Sequence, residues 1–168
     1  MKQRHSIAAA AAGLLLLALG ACASSSSSNG QTSGLGFTAT QLCALVSTAD
    51  VSTALGVSVE TGVGSGVNAP ACIWQGAGGA GATIAATEPS SVGQVPFGMQ
   101  GLDNHRASPV SGLGDAAYFA AAADIPNAEL DIKKGGKAIT ITVGVSGFTQ
   151  AQQEAAEKAI GVAAVKNF

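Results

Sequence analysis

Polar and apolar residues alternate most regularly in "ELDIKKGGKAITITV", residues 129–143. Two runs of period two flanking Gly135-Gly136 predict a β-hairpin closed by a two-residue turn. The register follows from the turn: Lys134 opposite Lys137, Lys133 opposite Ala138, Ile132 opposite Ile139, Asp131 opposite Thr140 and Leu130 opposite Ile141. Large apolar side chains then share one face of the hairpin and polar ones the other. "ACIWQ" (71–75) and "ATIAAT" (82–87) are short apolar runs with β-branched residues and predict two further neighbouring strands. "GLGDAAYFA" (112–120) reads as a tight turn entering another strand.

The period changes to that of a helix in two places. "FTATQLCALVSTADVSTALG" (37–56) opens with a Thr38-x-x-Gln41 capping box and carries Leu42, Leu45 and Val46 at helical spacing. Ser47 or Thr48 can cap a second short helix over Val51, Ala54 and Leu55, with Gly56 at its C-terminal end. "FTQAQQEAAEKAIGVAAVKNF" (148–168) repeats the box at Thr149 and Gln152, with Glu154 and Glu157 early and Lys166 late, as the helix dipole favours. Its expected inner face is Ala155, Ala156, Ala159, Ile160 and Ala163, small enough for a helix lying close to a sheet. The pattern as a whole predicts an α+β fold: an antiparallel sheet of about four to five strands with short N-terminal helices and a C-terminal helix packed on it.

The glycines between the first two strands, Gly76, Gly78 and Gly81, match Gly-x-Gly-x-x-Gly. In a dinucleotide site such glycines open a helix whose amides face a pyrophosphate. Here the chain continues as a strand and stops at Pro89, which leaves no room for that helix and makes the stretch a hairpin loop.

The N-terminus is organised differently. A basic start (Lys2, Arg4, His5) precedes an uncharged run from Ile7 to Leu19 and then small residues, the layout of an export signal. As a helix the run would reach roughly 20 Å, short of a bilayer's ~30 Å hydrocarbon core. Leu19-Gly20-Ala21-Cys22 resembles the lipobox of bacterial lipoproteins, which implies cleavage before Cys22 and acylation of its thiol. Residues 23–36 have no charge and are rich in Ser and Gly, the composition of a flexible tether reaching roughly 20 Å. The expected organisation is a signal peptide over 1–21, lipidated cysteine and tether over 22–36, and one α+β domain over 37–168.

Composition then removes several chemistries. Two of the eight Lys/Arg lie in the leader, so the mature chain has six against ten Asp/Glu, a formal charge of −4. With few aromatics besides, it lacks the basic stacking surface that nucleic acid requires. Once Cys22 is assigned to the anchor, Cys43 and Cys72 remain, and an even remainder in an exported chain suggests a disulfide, two buried thiols being the alternative. Two cysteines and one mature histidine are too few for a zinc site, and no cofactor is expected.

Candidate chemistry is sparse. The segment 89–109 holds the only mature histidine, His105, and the only mature arginine, Arg106, beside Asp103. It is either an ordinary surface connection or a ligand- or partner-binding loop. The three lysines at the 133–137 tip resemble an anion site, but also a solvated hairpin end protected against edge pairing. No Gly-x-Ser-x-Gly, Ser-x-x-Lys or His-Glu-x-x-His occurs in the mature chain. A carboxylate pair drawn from Asp103, Asp115 and Asp124 stays open, because distance in space is invisible in a sequence.

Taken in order, Cys22, the Ser-rich tether, "CALVSTADVSTALG", "CIWQ", "GLGDAAYF", the alternating hairpin and the Ala-rich terminal helix resemble small cell-envelope lipoproteins of mycobacteria and related actinobacteria, classed with domains of unknown function. The resemblance implies a secreted, lipid-anchored α+β domain with one disulfide, and it carries no catalytic residue. The function expected is a non-catalytic binding domain, attached to the membrane through its lipid and directed at an envelope protein or small molecule. The alternatives are a carrier of lipid or another apolar ligand and, behind it, a hydrolytic enzyme.

Overall fold

The computed structural model describes residues 34–94, 105–122 and 125–168. Cys22 and most of the tether lie outside them. Three helices, α1 (Ala39–Ala44), α2 (Thr48–Leu55) and α3 (Gln150–Lys166), accompany seven strands: β1 (Val63–Ser65), β2 (Ala71–Gln75), β3 (Gly81–Thr87), β4 (His105–Pro109), β5 (Ala116–Ala122), β6 (Ile125–Lys134) and β7 (Lys137–Gly144). All neighbours in the sheet are antiparallel, in the order β1-β2-β3-β7-β6-β5-β4.

The local signals act as their chemistry requires. Thr38 with Gln41, and Thr149 with Gln152, form reciprocal capping boxes, and Ser47 caps α2 by accepting from the Asp50 amide. The β6–β7 hairpin has the expected register, from Lys134 opposite Lys137 to Leu130 opposite Ile141. Its turn places Gly135 and Gly136 at φ of 56° and 79°, which side chains rarely adopt.

Register builds the core from cross-strand rows. Cys72, Ile84, Ile141, Leu130 and Phe119 stand opposite one another in succession on β2, β3, β7, β6 and β5, and so share one face. The helices cover this face with Leu42, Leu45, Val46, Val51, Leu55 and Ile160, all buried. Cys43 on α1 is bonded to Cys72, Cα to Cα 5.0 Å, clipping the first helix to the sheet. Helix α3 lies close: a Cβ built on Gly161 would be 2.9 Å from Ile132 Cδ1 and 3.0 Å from Leu130 Cδ2.

Three expectations are corrected. The sheet has seven strands rather than four or five. The additional edge strands, "VGS" and "HRASP", have no apolar alternation and extend only because β2 and β5 offer them a ladder. Residues 105–109, expected in a surface connection, are therefore strand, and Pro109 is tolerated because β4 is an edge. The buried stripe of α3 is also rotated: it contains Gln153, Ala156, Glu157, Ile160, Gly161 and Ala164, while Ala155 and Ala159 are exposed. Gln153 and Glu157 belong geometrically to the inner face, against their polarity.

Candidate functional site

The helices leave the opposite face of the sheet uncovered by any of them, and it has its own cross-strand rows. Val63, Ile73, Thr83, Thr142, Glu129, Ala120 and Ala107 follow one another from β1 to β4. The adjacent row runs Ala71, Ala85, Thr140, Asp131, Tyr118 and Pro109. Strands β3 and β4 run in the same direction at opposite sides of β7, β6 and β5. The described chain after β3 comes over the second row: Gly93 abuts Tyr118, a Cβ there falling 2.9 Å from the ring.

Over the first row an open cleft of about 690 Å³ remains, within the size range of small-ligand sites. Its floor is Ile73, Gln75, Thr83, Thr142 and Glu129, and the turn between β2 and β3 supplies Gly76, Gly79 and Gly81 at the end of the sheet. That turn is a short 3-10 segment, Ala77–Gly79, closed by the Gly76 amide donating to the Ala80 carbonyl at 2.8 Å. The glycines are a hairpin, as their context required, but they also wall a cleft because they keep that end free of side chains.

The carboxylates of β6 set the electrostatics. Glu129 stands at the cleft, half-buried, and burial raises its pKa. Asp131, two residues on and 5 % exposed, accepts a 2.6 Å hydrogen bond from Thr140 Oγ1. Burial outweighs that bond and, with the charge of Glu129 adding to it, pushes the Asp131 pKa up to about 6. Behind the ladder, at 0 % exposure on α3, Glu157 accepts from the Val143 amide at 3.2 Å through Oε1. Its pKa is pushed up to about 9 by burial, against that bond and with Glu154 and Glu129 adding repulsion. Glu157 Oε2 and Gln153 Oε1 are buried without a hydrogen-bond partner, one helical turn apart.

Comparison with known proteins finds no relative. No family model matches the chain, and no curated protein or solved structure does.

The residues singled out from sequence fall elsewhere. Asp103 and Asp124 are outside the described residues. His105 and Arg106 open β4, opposite Ala122 and Ala121, on the far edge of the sheet from β2. Asp115 is engaged structurally, its Oδ2 accepting from the Gly135 amide at 2.8 Å. Among the described residues no group of three or more His, Cys, Asp or Glu could hold a metal ion, and no helix is long and apolar enough to cross a membrane. Glu129, Thr142 and Thr83 were not singled out. The hairpin register already placed Glu129 beside Thr142, but pairing Thr142 with Thr83 needs the β3–β7 ladder.

Proposed function

We propose that the chain is an exported, lipid-anchored binding domain, non-catalytic, whose cleft on the helix-free sheet face receives a polar ligand from the cell envelope. The observation that carries this reading is that Thr83, Thr142 and Glu129 of one cross-strand row line, together with Gln75, one cleft of about 690 Å³. Hydroxyls, an amide and a carboxylate offer both donors and acceptors, the set that orients a hydroxyl- or amide-bearing molecule. The carboxylates support binding rather than acid–base chemistry. Asp131, the carboxylate two residues from Glu129, is buried and committed to Thr140. A carrier of acyl chains would need an apolar cavity, whereas the approach of Gly161 to Leu130 and Ile132 leaves no such space beneath that part of α3.

Native mass spectrometry of protein gently extracted from its own cells tests the cleft. The wild type should retain a small polar ligand, and a chain carrying Thr83→Val, Thr142→Val and Glu129→Gln should retain it at least about tenfold less, since each lost hydrogen bond leaves a ligand group unpaired. Equal retention by the triple variant would move the site off this face. The anchor is checked separately: Cys22→Ala should leave the protein unprocessed or released from the membrane fraction, and normal processing with full membrane retention would refute acylation at that sulfur.

A further inference from the structure

The tether and the last turn of α3 meet at one end of the sheet, the end that carries the lysines. A Cβ on Gly36 would lie 3.3 Å from Lys137 Cγ, and the Lys137 ammonium stands 4.8 Å from the centroid of the Phe37 ring. Phe37 meets Phe168 edge to face at 5.3 Å, and Lys134 Nζ donates to the Val165 carbonyl at 2.7 Å. The hairpin tip thus brings Lys133, Lys134 and Lys137 beside Lys166 and beside the point where residues 23–36 join the fold. Four of the six basic residues of a mature chain of charge −4 are gathered here. The acids nearby are Asp115, held by the Gly135 amide, Asp50, which lines the α2–α3 groove with Lys166, and Glu88, which follows Thr87, the partner of Ala138, and so comes opposite Lys137.

We propose that this end of the domain docks on an anionic lipid surface, with Lys133, Lys134 and Lys137 set against the headgroups. The membrane anchor of the preceding reading supplies the address, because the tether leaves from this end; the charge distribution supplies the orientation. Each lysine close to such a surface strengthens binding about fivefold. The attraction decays over ~10 Å in ordinary salt, so it acts on this end alone, and the remaining, acidic part of the domain lies beyond its reach. From Lys137 to Gly144 strand β7 extends roughly 20 Å. The cleft at Gly144, Gly81 and Gln75 is therefore held at the end away from the membrane, open to envelope ligands.

The test uses the mature chain made without its leader and with Cys22→Ala, so that its outcome does not depend on acylation. At low ionic strength it should sediment with vesicles of phosphatidylglycerol in phosphatidylcholine, should not sediment with phosphatidylcholine alone, and should be released by added salt. Lys133→Gln with Lys134→Gln and Lys137→Gln should weaken that binding on the order of a hundredfold. Lys133→Gln with Lys137→Gln, which keeps the Lys134–Val165 contact and so guards against misfolding, should weaken it about twentyfold. Equal binding to both vesicle types, undiminished binding by the double variant, or no binding to anionic vesicles would each overturn the proposal. None of these bears on acylation, which the membrane partition of the Cys22→Ala chain reports by itself.

Discussion

Reducing the Cys43–Cys72 bridge is expected to lower the stability of the folded protein by about 3 to 4 kcal/mol, the chain-entropy value for a loop of this length. That is a large share of the roughly 5 to 15 kcal/mol available to a domain. The bridge joins α1 to β2, and Trp74, two residues from Cys72, is buried on the same face. The two are close together: a Cβ on Gly62 would be 2.6 Å from the Trp74 ring and 2.7 Å from Cys72 Sγ. Loosening α1 should therefore let water reach the indole. Urea unfolding followed by tryptophan emission, with and without reductant, gives both readings, and Cys43→Ala with Cys72→Ala should reproduce the reduced protein. An unchanged midpoint and emission maximum would show that the helix is held without its sulfur clip.

Stability should also fall as pH rises from about 4 to above 9. A carboxyl whose folded pKa lies above its unfolded value binds its proton more tightly in the folded state, so its contribution is complete below the unfolded pKa and is lost as pH climbs through the folded one. Asp131, raised from 3.8 to about 6, adds to the lower part of the decline, Glu129, raised by burial, adds to it as well, and Glu157, raised from 4.5 to about 9, carries it across the whole span. Glu157→Gln keeps an oxygen for the Val143 amide and removes the titration. The variant should be more stable than wild type at pH 8, by at least about 1 kcal/mol. Its curve should be flat above pH 7. Asp131→Asn should make the decline between about 4 and 6 shallower, leaving the part that Glu157 carries. A wild-type curve that rises through this range would mean that Glu157 is ionised in the fold.

Much of the architecture was legible because it is encoded over a few residues. Capping boxes span four positions, the Gly135-Gly136 turn imposes register on the six residue pairs of its hairpin, and period-two alternation marks β7 against its surroundings. Cysteine parity pointed to the bond between α1 and β2. The readings that failed depend on contacts with distant residues. Edge strands β1 and β4 carry no hydropathy signal, since an edge is stabilised by its neighbour's backbone. Polarity hid the inward face of α3: Glu157 is buried because α3 lies over β6 and β7, where the Val143 amide donates to it, a fact of helix rotation that one sequence cannot display.

The candidate site divides along the same line. From the sequence alone came the hairpin register that sets Glu129 beside Thr142, because it is a matter of separation along one hairpin. The tertiary structure alone joined Gln75 and Thr83 to that pair, opened the glycine turn onto the cleft, and set the lysines beside the tether at the opposite end. Those relations depend on the order β2-β3-β7-β6 and on which face the helices cover, and both are decided by packing between segments tens of residues apart.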